Sequence, residues 1–201
     1  MKKVGIMGGT FNPIHFGHLF LAESAYEQLE LDKVIFIPSK NPPHKVVAGN
    51  ITQEQRVRMI SLSIRDNPHF ELSLMELERD GVTYTADTLA ILTEANPDTE
   101  YFFLVGADSL MQLHTWKNPE KICALCRLAA AGRDDMDREL LARQAEMLKN
   151  TYNARICFID MPAIRISSSD IRARIASGKS IKYYVHADVE KYITENRLYR
   201  E

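Results

Sequence analysis

The sequence predicts an α/β fold with a doubly wound, mostly parallel sheet. Two observations carry this. Short apolar runs rich in β-branched and aromatic residues alternate with segments of helical periodicity along nearly the whole chain, the pattern of successive βαβ units. No linker rich in Gly, Ser or Pro, no internal repeat and no low-complexity tract divides the 201 residues. Residues 1–201 therefore read as a single domain, with C-terminal helices in 168–201 packed on it.

The elements follow in order. Lys3-Val-Gly-Ile-Met7 is a short apolar run and predicts a first strand; from Phe16 to Leu29 apolar residues recur at helical spacing. Val34-Ile-Phe-Ile-Pro38 predicts the second strand. Thr52-Gln-Glu-Gln55 resembles a capping box and opens a helix running to Arg65. Strands are expected over 70–74, 101–105, 128–131 and 156–160, and helices over 86–95, 136–152, 169–177 and 186–196. The whole is Rossmann-like, with helices on both faces and a small helical part at the C-terminal end. In such sheets ligands bind beyond the carboxyl ends of the strands, where neighbouring crossovers take opposite faces. Four segments should meet there: 8–18, 39–45, 106–108 and 167–169.

The totals narrow the function. At 45% hydrophobic residues the chain can bury an ordinary core, and a net charge of −2 offers no general footprint for nucleic acid. The start, Met-Lys-Lys-Val-Gly, shows no signal-peptide pattern, and no apolar run is long enough for a bilayer. Three cysteines argue against a disulfide framework and for a reducing compartment. A soluble cytoplasmic protein without membrane or general nucleic-acid partners is the expectation.

The segment Gly8-Gly-Thr-Phe-Asn-Pro-Ile-His-Phe-Gly-His18 lies where the first strand becomes a helix. The unpaired N–H groups and dipole of a first helical turn attract anions. Gly8 and Gly9 can adopt positive φ and bring backbone N–H groups close to a phosphate, and the Thr10 hydroxyl adds a donor. Pro13 suits a helix entry, which would place His15 and His18 on one face, with Gly17 between them leaving room for a ligand. Two His at this spacing, without a nearby acid or Cys, make a poor zinc site.

Other motifs separate into rivals and supports. Gly5, Gly8 and Gly9 do not have dinucleotide-fingerprint spacing, and Ala173-Arg-Ile-Ala-Ser-Gly-Lys-Ser180 lacks the first glycine and the strand context of a P-loop; Gly178 reads as a helix C-cap. Cys123-Ala-Leu-Cys126 has no second pair and reads as core. Trp116 serves equally as a hydrophobic plug or as a stacking surface for an aromatic ring. Ile166-Ser-Ser-Ser-Asp-Ile-Arg172 sets three hydroxyls and a guanidinium at a helix mouth, a second anion site.

These blocks resemble the nucleotidylyltransferase superfamily, whose signatures are H-x-G-H and I-S-S-T-x-I-R; here Ser169 replaces the usual Thr and keeps the hydroxyl. Phe36-Ile-Pro-Ser-Lys-Asn-Pro-Pro-His-Lys45, Thr83-Tyr-Thr-Ala-Asp-Thr-Leu89 and Gly106-Ala-Asp-Ser-Leu110 narrow the resemblance to the bacterial nicotinate mononucleotide adenylyltransferases. The resemblance implies transfer of AMP from ATP to nicotinate mononucleotide, giving nicotinate adenine dinucleotide and pyrophosphate on the route to NAD. It implies His15 and His18 on the ATP phosphates as the catalytic pair. Gly8, Gly9, Thr10, Phe11, Gly106, Asp108, Ile166, Ser167, Ser168 and Arg172 complete the ATP side, with Asp108 toward ribose hydroxyls.

His44 and Lys45 would take the mononucleotide phosphate. Thr85 and Trp116 would select the nicotinate ring, its carboxylate meeting backbone N–H groups near a helix start. Mg²⁺ is the implied cofactor, bound mainly through ATP phosphates, with no dedicated protein metal site. A homo-oligomer is compatible with the family reading. The 39–50 loop, with Pro42 and Pro43 beside its basic tip, is expected to move on substrate. Two alternatives stand beside this reading: an adenylyltransferase acting on phosphopantetheine, which shares the His motif, and a non-catalytic nucleotide sensor.

Overall fold

A computed structural model describes residues 1–40, 51–131, 135–162 and 164–200. Among them, strands β1 (Lys2–Gly9), β2 (Lys33–Pro38), β3 (Phe70–Leu72), β4 (Thr99–Gly106), β5 (Arg127–Ala131) and β6 (Arg155–Ile159) form one sheet. Their order is β3-β2-β1-β4-β5-β6 and every pairing is parallel. The α/β, doubly wound, Rossmann-like reading holds.

Eight α-helices are described: α1 (Phe16–Leu29), α2 (Gln53–Ile64), α3 (Thr85–Ala95), α4 (Ala107–Gln112), α5 (Pro119–Leu125), α6 (Asp135–Tyr152), α7 (Ser168–Ala176) and α8 (Ala187–Glu195). Thr52 caps α2 through the predicted capping box, its hydroxyl accepting from the Gln55 N–H at 3.2 Å while the Thr52 N–H donates to the Gln55 side chain at 3.0 Å. Gly178, at φ +69°, follows the end of α7, and the Gly178 and Lys179 N–H groups donate to the Ile175 and Arg174 carbonyls. That is helix termination and removes the P-loop alternative.

Two cores cover the two faces of the sheet. Met7, Phe36, Phe102 and Leu104 pack with Leu21 and Ala25 of α1, Met59 and Ile60 of α2, Ile171 of α7 and Val189 of α8. Val4, Ile6, Phe103 and Val105 point the other way, onto Leu89 of α3, Leu110 of α4, Ile122 of α5 and Leu148 of α6. Alternation along buried strands sends successive side chains to opposite cores. The crossover leaving β1 thus covers one face and that leaving β4 the other, although the strands are neighbours. Their carboxyl ends form the switch point at which such sheets bind ligands.

Two helices are additions to the sequence reading. Helix α4 has six residues and α5 seven, joined through a 3₁₀ turn at Leu113–Thr115. Neither is long enough to display a helical period. β3 ends at Leu72 rather than at residue 74, and α7 begins at Ser168 with Ser167 as its cap. The C-terminal elements are tied in: Val185, Val189, Ile193, Leu198 and Tyr199 belong to the same core as Met7 and Phe36.

Candidate active site

A cleft of about 570 Å³ opens at the carboxyl ends of β1 and β4, within the range of about 300–1,000 Å³ common for small-molecule sites. Gly8, Gly9, Thr10, Phe11, His15, His18, Gly106, Asp108, Trp116, Ile166, Ser167, Ser168 and Arg172 line it, so the distant sequence blocks converge. Of the four predicted segments, 8–18, 106–108 and 167–169 contribute residues to this lining. His44, Lys45 and residues 41–50 of the 39–50 loop lie outside the described residues.

The glycine turn differs from expectation. Gly8 and Gly9 do not adopt positive φ; they finish β1, paired with Ile37 and Pro38. Their missing side chains serve packing: a Cβ on Gly9 would come within 3.2 Å of the Phe11 ring, and one on Gly8 within 3.3 Å of Phe103. The positive φ falls on Phe11, at +49°. Pro13 is not the helix entry either. His15, extended at φ −148°, is the N-cap, and α1 begins one residue later.

His15 and His18 nevertheless meet. Their ring centroids stand 3.8 Å apart, and the His15 backbone N–H donates to Nδ1 of His18 at 3.2 Å. An Nδ1 that accepts leaves the proton of the neutral ring on Nε2, so this bond sets the His18 tautomer. Phe11 meets the His18 ring edge-on at 5.1 Å. Gly17 makes room for His15 rather than for a ligand alone, since a Cβ there would lie 3.1 Å from its imidazole.

In the same lining, Ser167 caps α7, its hydroxyl accepting from the Asp170 N–H at 3.1 Å. Ser168 and Arg172 reach across to the first loop: the Ser168 hydroxyl donates to the Pro13 carbonyl at 2.8 Å and Arg172 Nη1 to the Asn12 carbonyl at 2.7 Å. Further residues that the sequence reading missed hold the same loop. Arg56, only 1% exposed, donates from Nη1 to the Thr10 carbonyl at 2.7 Å, and the buried Tyr199 hydroxyl donates to Asn12 Oδ1 at 2.7 Å. The Tyr184 carbonyl accepts from the Phe16 N–H at 3.0 Å. Burial pushes the Tyr199 phenol above its usual range, and Arg172 and Arg56 oppose that shift.

The cleft is thus a place for anions. The N-termini of α1 and α7 both open onto it through His15 and Ser167, bringing positive helix ends, hydroxyls, imidazoles and a guanidinium together. Trp116 is also in the lining, edge-on to Phe103 at 6.1 Å. Thr85 is not among the lining residues; it is the half-buried first residue of α3. The next residue, Ala86, packs in the cluster that contains Phe103 and carries Trp116 on its flank.

Two of the three cysteines are part of the core. Cys123 and Cys126 are buried thiols of α5 and its cap, and Cys126 Sγ donates to the Ile122 carbonyl at 3.2 Å. Among the described residues no group of three His, Cys, Asp or Glu could hold a metal ion, and no helix is long and apolar enough to cross a membrane.

Residues 6–174 match the family model described as cytidylyltransferase-like. A "Probable nicotinate-nucleotide adenylyltransferase" of Lachnoclostridium phytofermentans is 48% identical over 99% of this chain and 100% of its own length. A relative of the same name from Clostridium botulinum is 40% identical over the full length of both chains. Among solved structures, the Plasmodium falciparum nicotinic acid mononucleotide adenylyltransferase complexed with NaAD superposes with a TM-score of 0.80 at 21% identity, over 99% of this chain and 98% of that one. At that identity the last match speaks for the fold.

Proposed function

The chain belongs to the cytidylyltransferase-like family and, within it, to the nicotinate-nucleotide adenylyltransferases, and from that premise we propose how its cleft carries out the reaction. The enzyme transfers AMP from ATP to nicotinate mononucleotide and releases pyrophosphate, a step of NAD biosynthesis. An oxygen of the acceptor phosphate forms a bond to the α-phosphorus of ATP while the bond from that phosphorus to the β-phosphate oxygen breaks. The attacking oxygen is already anionic, so no side chain has to remove a proton; catalysis is positioning and charge stabilisation.

The observation that carries this reading is the close, tilted His15–His18 ring pair at one helix N-terminus lining the same cleft as Ser167 and Arg172 at another. His18 donates from Nε2 to the phosphates, because Nδ1 is occupied by the His15 N–H. His15 supports its ring and lines the same wall. Arg172 gives one N–H to Asn12, and a guanidinium has four more for the departing pyrophosphate. Gly8, Gly9, Thr10, Phe11, Gly106 and Ile166 shape the ATP side, with Asp108 toward the ribose. The described lining supplies the Arg172 guanidinium, N–H groups, hydroxyls and the Asp108 carboxylate, a donor set that would fit Mg²⁺ carried on the triphosphate. When bound, that ion neutralises phosphate charge.

For the acceptor, Trp116 supplies the surface for the nicotinate ring and the N-terminus of α3 at Thr85 supplies N–H groups for its carboxylate, with His44 and Lys45 on the phosphate. An amide in place of the carboxylate would bring NH₂ against those donors and lose charge-assisted bonds. The proximity of Ala86 to the cluster that carries Trp116 supports the pairing.

The test is pyrophosphate release with ATP alone, with nicotinate mononucleotide and with nicotinamide mononucleotide. Release is expected only with acceptor present and faster with the acid. His18→Ala is expected to lower kcat about 10²–10³-fold, the loss typical of a transition-state donor; unchanged turnover would remove His18 from the mechanism.

A further inference from the structure

Arg56 sits on α2, outside the cleft, and is buried to 1% exposure. Its guanidinium spans two segments that are far apart in sequence. Nη1 donates to the Thr10 carbonyl at 2.7 Å and Nη2 to the Ser39 carbonyl at 2.8 Å. Thr10 follows β1 on the ATP side. Ser39 follows β2 and is laced to β1, its N–H donating to the Gly9 carbonyl at 2.9 Å.

From Ser39 the connection continues toward the acceptor side. Lys40 Nζ donates to the Arg79 carbonyl at 2.6 Å, and Arg79 Nη1 donates to Thr88 Oγ1 at 3.2 Å. The Thr88 hydroxyl in turn donates to the buried Glu76 carboxylate at 2.6 Å. Thr88 stands one turn into α3, whose first residue is Thr85. Arg56 is therefore the joint at which the loop after β1 meets a chain of hydrogen bonds leading to the start of α3.

We propose that Arg56 is a positioning residue that holds the ATP loop and the acceptor side in one fixed relation, so that the two substrates bind as a coupled pair. The inference rests on the assignment of those two sides given above. Only a planar guanidinium presents two N–H groups in the fork needed to serve both carbonyls from one buried position; an ammonium carries the charge without the fork. Burial of the cation disfavours its charged form, so each carbonyl bond is formed in a dry, low-dielectric setting where its loss costs most.

Tyr199 is the internal comparison. Its hydroxyl bonds Asn12 Oδ1 in the ATP loop, and it has no link to Ser39 among the hydrogen bonds of the described residues. Loosening Tyr199 should disturb one substrate, and loosening Arg56 both. A residue that merely stabilised the fold would not produce that split.

The experiment measures KM for ATP and for nicotinate mononucleotide, and kcat, in the full chain and in Arg56→Met, Arg56→Lys and Tyr199→Phe. Circular dichroism and Tm verify folding. The expected result is a rise of about tenfold or more in both KM values for each Arg56 variant, the scale of a lost hydrogen bond to a charged group. Tyr199→Phe should raise KM for ATP by about threefold to tenfold, the scale of a neutral hydrogen bond, with the acceptor KM unchanged.

Should Arg56→Met not fold, Arg56→Lys, which keeps the charge, carries the test alone. A folded Arg56→Lys protein with an unchanged KM for either substrate overturns the proposal, as does a fall in Tm with both KM values intact. An inactive wild type would instead overturn the functional assignment, and the proposal with it; an active wild type with unaffected Arg56 variants overturns the proposal only.

Discussion

At the scale of single residues, a backbone N–H decides what an imidazole can do: His15 gives its N–H to Nδ1 of His18, and the neutral ring is left to donate through Nε2. The sequence displays the two histidines but not this bond, because it depends on His15 being an extended N-cap rather than a helical residue. Arg56 was less legible still. An arginine among Gln53, Glu54 and Arg58 reads as a solvated helix face, and only the meeting of the loops after β1 and β2 buries it. Cys123 and Cys126 were legible as core. Burial, with a smaller effect of Glu120, pushes the Cys123 thiol up to about 11, and burial, with a smaller effect of Cys123, pushes Cys126 up to about 12, from an ordinary 9.0. Raised acid pKa values mean that their contribution to stability is complete below pH 9 and is lost as pH rises from 9 toward 12, since the unfolded thiols ionise first. Native protein at pH 8 is expected to react with a thiol reagent at Cys157 well before Cys123 or Cys126, and urea midpoints should fall between pH 8 and pH 10. Equal reaction rates at all three thiols would contradict the buried placement.

At the scale of elements, long periodic segments were readable and short ones were not. Helix α1 begins and ends where the spacing placed it, and the Thr52 box and the Gly178 stop are local chemistry that needs no tertiary partner. Helices α4 and α5 are held by their environment: Leu110 and Ile122 are fully buried, and Gln144 of α6 donates to the Leu110 and Met111 carbonyls at 3.2 Å. Glycines separate function from folding at this scale. Gly17→Ala would place a Cβ 3.1 Å from the His15 ring, so it is expected to cut kcat at least about tenfold, since misplacement of positioned groups is costly in rate. Gly178→Ala meets nothing within 4 Å but sits at φ +69°; it is expected to cost about 1–2 kcal/mol of stability and leave kcat unchanged. Melting curves and steady-state assays on the two variants check the contrast, and equal effects on kcat would refute it.

At the scale of the molecule, residues 168–200 brace the loop after β1 that lines the cleft. Ser168, Arg172, Tyr184 and Tyr199 all hydrogen-bond to the segment from Asn12 to Phe16, and Val189 and Ile193 enter the core beneath β1 and β2. We propose that the chain unfolds as one cooperative unit. Urea transitions followed by Trp116 fluorescence and by far-ultraviolet circular dichroism should coincide; separate midpoints would show that the C-terminal helices fold apart. The sequence by itself determined the α/β class, the donor-rich blocks Gly8 to His18 and Ser167 to Arg172, and the family those blocks resemble, because capping, periodicity and donor type are local properties. Only the tertiary structure decided that the glycines serve packing, that Gly17 accommodates His15, and that Arg56 and Tyr199 brace the loop. Those roles exist only once strands far apart in sequence lie side by side and their connecting loops must satisfy one another's buried polar groups.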